Sequence, residues 1–191
     1  MKRVLLAGLL GGIGMFVWSS VAHMVLPLGM IGMQMMPNEQ AVLGPLAATL
    51  GNANGMYIFP GMDLKAERGA AMQEYEKKLA ANPSGLLIYH PPGAKPMTPG
   101  QLVVEFLKEV LQAFLAAWLL SKAWVKGYGA RVGFVAVIGL AAAMTTSLSY
   151  WNWYGFPGDY TLSYMTMEFV GYVVAGAILA KILKGDEWKE A

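Results

Sequence analysis

The chain contains no cysteine and only two histidines among its 191 residues. Without cysteine there are no disulfides, no thiolate metal sites and no cysteine nucleophile. Charged residues make up 14% of the chain and hydrophobic residues 56%, which lies well outside the range of soluble domains. The formal net charge is only +2 and the basic residues form no continuous stripe, so nucleic acid is excluded as a partner. This composition predicts an integral membrane protein whose first partner is the lipid bilayer.

The sequence also lacks the common signatures of enzymes. It has no Gly-x-Ser-x-Gly elbow, no His-Glu-x-x-His helix, no phosphate-binding loop and no dinucleotide fingerprint. The two histidines, His23 and His90, have no partner that would make a nucleophile and base pair or a haem site. No catalytic residue and no cofactor is therefore predicted.

Four hydrophobic runs have the length of about 20 residues that crosses a bilayer. They cover residues 4–26, 101–121, 132–150 and 161–183. The apolar run that begins after Lys2-Arg3 is too long for the core of a cleaved secretory signal, so we expect it to be retained as the first span. The fold class predicted is an all-α, four-helix transmembrane bundle, with residues 27–100 as a large loop between the first two spans.

Basic residues near the span ends predict the orientation of the bundle. They lie before span one, between spans two and three, and after span four: Lys2, Arg3, Lys122, Lys126, Arg131, Lys181, Lys184 and Lys189. The short loop from Tyr150 to Tyr160 contains none. Both termini are therefore predicted to be cytoplasmic and the long loop extracytoplasmic. Tryptophan and tyrosine mark the two interfaces in agreement, among them Trp18 and Trp151 outside and Trp118 and Trp188 inside.

The long loop has the sequence pattern of a small folded α+β cap. Asn38 is predicted to cap a helix that ends at Leu50, and Asp63 a second helix that ends at Ala81. Short apolar runs at residues 56–59 and 86–89 are predicted strands that pair around the second helix.

Span two carries a polar stripe on its outer half. Gln101, Glu105, Lys108, Glu109 and Gln112 follow one another at helical spacing and so lie on one face. Charged groups within a membrane normally face the bundle interior or a water-filled cavity. Glu168 of span four is expected at the same depth as Glu109, and His23 lies near the outer end of span one. The sequence predicts an outward-facing polar vestibule formed by Glu105, Lys108, Glu109, Glu168 and His23.

Three interpretations of this vestibule remain open. It is a structural network that holds the helices in register, a binding site for a polar ligand, ion or proton, or a metal site built from Glu105, Glu109, Glu168 and His23. A second metal hypothesis concerns copper(I), which prefers thioether ligands. It rests on five methionines near the end of span one: Met24, Met30, Met33, Met35 and Met36. Methionine is also an adaptable packing residue, and this simpler role is preferred.

Small residues predict where helices pack closely. Gly8 and Gly12 form a G-x-x-x-G pattern in span one, and Gly171 and Ala175 a similar pattern in span four. Such faces allow close contact either inside the bundle or between subunits. The pattern does not distinguish the two.

Three phrases resemble those of small bacterial four-span membrane proteins to which no activity is attached. They are residues 57–62 (YIFPGM), 87–91 (LIYHP) and 150–157 (YWNWYGFP). The resemblance implies the bacterial inner membrane and no particular chemistry. The preferred prediction is a non-enzymatic subunit or scaffold of a membrane assembly, homo-oligomeric or with other membrane subunits. The alternatives are a ligand-, ion- or proton-binding membrane protein and, third, a metal-dependent membrane enzyme.

Overall fold

A computed structural model describes residues 1–183, which form six α-helices and one two-stranded sheet. The elements in chain order are α1 Lys2–Met24, α2 Gln40–Leu50, β1 Gly55–Phe59, α3 Arg68–Ala81, β2 Gly85–Tyr89, α4 Pro99–Lys122, α5 Tyr128–Tyr154 and α6 Gly158–Ile182. Lys184, Trp188 and Lys189, which entered the orientation argument, lie outside the described residues. The chain divides into a helical unit, Met1–Met33 with the chain from Met97 onward, and an inserted unit, Gln34–Pro96.

Three helices within residues 1–183 are long and apolar enough to cross a membrane, namely α1, α5 and α6. This finding supports a membrane protein. Helix α4 has 24 residues and is equally long, but the charged residues of its first half reduce its hydropathy. The four helices begin and end within a few residues of the predicted spans, and the largest difference is at α5, which is longer at both ends.

Helices α1 and α4 pack antiparallel at close range. Gly8 lies against Phe114 and Gly12 against Val110, and the rings of Phe16 and Phe106 meet edge to face with centroids 5.5 Å apart. The contacting residue numbers thus increase by four along α1 while they decrease by four along α4, as in an antiparallel helix pair. The Gly8 and Gly12 face predicted from sequence is used inside the chain, because it admits the backbone of α4.

Helix α6 packs between α1 and α5. On the α5 side, Gly139 makes room for Tyr172 and Gly176 lies against Val135. On the α1 side, Gly171 lies beside Trp18, and Ala175 is completely buried. The helical unit is therefore a row in the order α4, α1, α6, α5, with a core of buried alanine, methionine, leucine and valine side chains.

Arg131 joins three segments at the end of the helical unit where α4 stops and α5 starts. Its Nε donates to the carbonyl of Val125 at 3.0 Å, and its Nη1 donates to the carbonyl of Leu183 at 2.8 Å. A cation at the last carbonyl groups of α6 satisfies acceptors that the helix leaves open. Arg131 thus fixes the α4–α5 connection to the end of α6.

Helix α4 starts with a capping box, in a stretch that the sequence analysis assigned to the long loop. The Thr98 hydroxyl accepts a hydrogen bond from the Gln101 N–H at 3.3 Å, while the Gln101 side chain accepts one from the Thr98 N–H at 2.7 Å. Pro99 occupies the first helical position, where its missing N–H costs nothing. The Thr-Pro-Gly-Gln sequence was the signal for this helix start.

In the inserted unit, β1 and β2 pair antiparallel, with Gly55 opposite Tyr89 and Phe59 opposite Gly85. The Tyr89 hydroxyl donates to the carbonyl of Gly51 at 2.9 Å and ties β2 to the turn that follows α2. Both strands and both helices of the predicted cap are present, and the strands lie on either side of α3 in the chain.

Both predicted helix caps of this unit are wrong. Asn38 has a positive φ of 50°, and α2 begins two residues later without a side-chain cap. Asp63 accepts from the Lys65 N–H in a turn, whereas Glu67 caps α3 by accepting from Gly69 and Ala70 at 3.0 and 2.9 Å. Asparagine and aspartate also stabilise turns outside helices, so their presence did not distinguish the two uses.

The Gly12 contact provides a test of the packing. A Cβ added at Gly12 would lie 2.8 Å from the Val110 nitrogen, and backbone cannot move aside as a side chain can. Gly12→Ala is expected to lower the free energy of unfolding by about 1–3 kcal/mol. Gly133→Ala in α5 is the matched control, because nothing lies within 4 Å of its added Cβ. Thermal unfolding of both variants in lipid nanodiscs would measure the difference, and equal stability would contradict this packing.

The Glu67 cap predicts a pH dependence at the start of α3. The two backbone N–H donors lower the pKa of Glu67 below its ordinary value of 4.5, so the carboxylate is the form that stabilises the folded helix. This contribution is present above the unfolded pKa and is lost as the pH falls through the folded one. Amide exchange protection at Gly69 and Ala70 should therefore decrease in acid. In Glu67→Ala the protection should be low at neutral pH already, and an unchanged value would contradict the cap.

Candidate functional site

A cavity of about 370 Å³ lies in the helical unit, at the end where α1 stops and α4 and α6 begin. Helices α1, α4 and α6 line it, and α5 contributes nothing. Its lining combines charged, aromatic and thioether side chains: Met15, Phe16, Trp18, Ser19, Ser20, His23, Met24, Met97, Leu102, Glu105, Lys108, Glu109, Tyr164, Met167, Glu168 and Gly171. All five vestibule residues predicted from sequence are among them.

Lys108 is the centre of the charged groups. Its Nζ lies 2.9 Å from Glu105 Oε1, 3.3 Å from Glu109 Oε1 and 3.8 Å from Glu168 Oε1. Glu105 lies one turn before Lys108 on α4, as the spacing predicted, and Glu168 reaches it from α6. We call these four residues the charged cluster. With every group ionised, one ammonium faces three carboxylates, which leaves a formal charge of −2.

Glu109 is the buried member of the charged cluster, with 4% of its surface exposed. Its Oε1 faces Lys108, but its Oε2 accepts no hydrogen bond from any group within residues 1–183. The same holds for Oε1 of Gln112, one turn further along α4. A buried carboxylate oxygen without a donor is costly, so Glu109 is the member of the charged cluster whose charge is least compensated.

His23 lies at the same cavity but outside the charged cluster. Its Nδ1 is 2.9 Å from the carbonyl of Ser19, so this nitrogen carries a hydrogen. The ring meets Tyr164 edge to face with centroids 6.1 Å apart, and none of the ion pairs within residues 1–183 includes it. His23 therefore lines the cavity with its imidazole ring, which packs against the ring of Tyr164.

The two metal hypotheses gain no support from this geometry. Within residues 1–183, no three histidine or acidic side chains are placed to hold a metal ion, since Lys108 lies among the three carboxylates. Of the five methionines considered for copper, Met24 lines the cavity. Met30 and Met33 are exposed, as are Met35 and Met36 of the inserted unit.

The aromatic and thioether wall of the cavity was missed by the sequence analysis. Trp18 was assigned to the membrane interface, but its indole N–H donates to the carbonyl of Met167 at 2.9 Å and holds the ring between α1 and α6. Phe16, Tyr164 and Met167 join the same wall. The structure adds the contact with α6, which the sequence of α1 alone did not indicate.

The hydroxyl groups of α5 do not take part in the site. Thr145 donates to the carbonyl of Ala141 at 2.7 Å, and Ser149 donates to that of Thr145 at 3.0 Å. Hydroxyl groups in a membrane helix commonly satisfy themselves on the preceding turn in this way. The polar character of the C-terminal end of α5 thus has a local explanation.

A double-mutant cycle tests the charged cluster. Lys108→Met removes the ammonium, and we expect it to destabilise the protein by about 1–3 kcal/mol because the Glu109 carboxylate then stays buried without its partner. Adding Glu109→Gln should recover part of the loss, with a coupling energy of about 0.5–3 kcal/mol. Lys122→Met, at the exposed end of α4, is the control and should change stability by less than about 0.5 kcal/mol. Additive effects of the two substitutions would contradict the contact.

The chain matches no known protein family, and comparisons with curated proteins and with solved structures find no significant match. Its activity must therefore be argued from the cavity, in which three carboxylates surround one lysine.

Proposed function

We propose that this chain is an integral membrane protein that binds a small cation in the cavity between α1, α4 and α6. The observation that carries the proposal is Glu109, a carboxylate 4% exposed that lines this cavity with one oxygen lacking a hydrogen-bond donor within residues 1–183. Ionisable groups at membrane depth are expensive, and a ligand or ion site is the default hypothesis for them.

The packing of α4 supports a fourth membrane span. The contacts of Gly8 with Phe114 and of Gly12 with Val110 place α4 alongside α1, and extending the register brings the start of α4 level with the end of α1. A helix packed along a spanning helix over its whole length occupies the same depth of the bilayer. By this register Glu109 is level with Ile13, on the order of 16 Å from either end of α1.

The electrostatics of the cavity favour a positive ligand. Lys108 offsets only part of the charge of Glu105, Glu109 and Glu168, and attraction between charges strengthens as water is excluded. An anion would meet a net negative site. A monovalent cation would reduce the formal charge of the cluster from −2 to −1.

The charge of the loops supports an orientation in which the cavity opens away from the cytoplasm. Lys122, Lys126 and Arg131 gather where α4 ends and α5 begins, while the cavity lies at the opposite end of these helices. We propose the bacterial inner membrane, with an extracytoplasmic cavity mouth and inserted unit.

A role as a non-enzymatic subunit or scaffold is the second proposal. The glycine faces of α1 and α6 are already used within the chain, which removes one argument for contacts between subunits. The remaining argument for such contacts is the side of α4 that faces away from the other helices. A row of apolar side chains is exposed there: Val103, Val104, Leu107, Leu111 and Leu115. Lipid or a neighbouring membrane subunit would cover this row.

Cation binding can be measured through its effect on stability. A ligand that binds only the folded state raises the free energy of unfolding by about 2.7 kcal/mol at a hundred times its Kd. We expect sodium, potassium or methylammonium chloride to raise the Tm of the protein in nanodiscs at constant ionic strength. Glu109→Gln should remove this increase.

The matched control is Glu76→Gln, which removes an exposed carboxylate of α3 in the inserted unit. It should respond to the cations as the unaltered protein does. If none of the three cations produces a stabilisation that depends on Glu109, the binding proposal fails and the charged cluster serves the structural role of the scaffold interpretation.

A further inference from the structure

We infer that the cation bound in the cavity is an organic ammonium ion with an apolar substituent. This inference rests on the proposed function and specifies its ligand. The cavity has two chemically different sides, an acidic side made by the charged cluster and an apolar side made by aromatic, thioether and leucine side chains. A ligand that fits both sides carries a charged head and an apolar body.

The acidic side suits a head group that donates hydrogen bonds. Lys108 already occupies the oxygens that face the middle of the cluster, at 2.9–3.8 Å. Each of the three carboxylates has a second oxygen besides the one paired with Lys108, and within residues 1–183 that of the buried Glu109 has no hydrogen-bond donor. A hydrogen bond from an ammonium to one carboxylate oxygen is a strong, charge-assisted contact. Calcium requires six to eight oxygen ligands and magnesium near-ideal octahedral geometry, whereas within residues 1–183 no three histidine or acidic side chains are placed to hold a metal ion.

The apolar side is built from side chains that are held in place. Trp18 is fixed by its hydrogen bond to the Met167 carbonyl, and Phe16 rests edge to face on Phe106. Tyr164 lies against Tyr160, with ring centroids 4.7 Å apart, and against His23. Rigid aromatic walls bind an alkyl chain with little loss of side-chain entropy, and their faces attract an adjacent ammonium.

The size of the cavity sets the size of the ligand. Its volume of about 370 Å³ lies near the lower end of small-molecule sites, which begin at roughly 300 Å³. A bare inorganic ion would leave most of the apolar wall in contact with water. A short alkylammonium ion would cover part of that wall while its head stays at the charged cluster.

A series of n-alkylammonium chlorides from methyl to butyl tests this inference by calorimetry on the full chain in nanodiscs. Burial of each methylene contributes about 0.8 kcal/mol, so the Kd should fall about fourfold per carbon. n-Butanol, which has a similar apolar body without the charge, should bind at least tenfold more weakly than butylammonium. Glu109→Gln should weaken every member of the series.

Trp18→Leu should reduce the dependence on chain length while methylammonium still binds. Trp151→Leu is the matched control, because Trp151 is half-exposed at the end of α5 and does not line the cavity. If the Trp18 variant is unstable, the alkylammonium series on the unaltered protein still tests whether the Kd depends on chain length.

The outcomes separate the two proposals. A Kd that falls with chain length and depends on Glu109 supports both. Sodium or potassium binding that depends on Glu109, combined with equal affinity along the alkyl series, overturns the organic ligand and leaves cation binding in place. A series in which no cation binds in a Glu109-dependent way overturns both.

Discussion

The charged cluster around Lys108 is the interaction on which the helical unit depends. The pairing of four ionisable side chains requires that α4 and α6 turn them toward a shared interior space. That requirement determines the rotation of α4 about its axis. The same rotation places the apolar row from Val103 to Leu115 on the outside, where lipid can solvate it.

Glycine then determines how closely the helices approach. Gly8 and Gly12 admit α4 to the surface of α1, whereas Gly139 and Gly176 bring α5 and α6 together in the same way. Because α4 contacts α1 along its length but makes few contacts with α5 or α6, the half of the helical unit that contains the start of α4 stays open between α4, α1 and α6. The cavity is the space left by a helix that has one close neighbour instead of two, and the charged cluster faces into it.

The acidic side and the apolar side of this cavity come from different segments of the chain. The acidic side comes from one short stretch of α4 with Glu168 opposite, and the spacing of its residues was visible in the chain. The apolar side comes from α1 and α6, which are hydrophobic throughout, so nothing in their composition separated Phe16, Trp18 or Met167 from side chains that face lipid. Lining residues of this kind can be recognised only when the contact partners are known, because lipid and a cavity wall favour the same side chains.

The amino-acid sequence by itself determined the four long helices, the order of strands and helices in the inserted unit in outline, and the polar stripe of α4. These features depend on local periodicity and on run length, which are readable within one segment. Only the tertiary structure decided that Lys108 meets Glu168, that the Gly8 and Gly12 face is used within the chain, and that Glu67 rather than Asp63 caps α3. Such outcomes depend on which segments pack against one another and on which of several possible donors and acceptors lies within hydrogen-bond distance of its partner. A single segment does not contain that information.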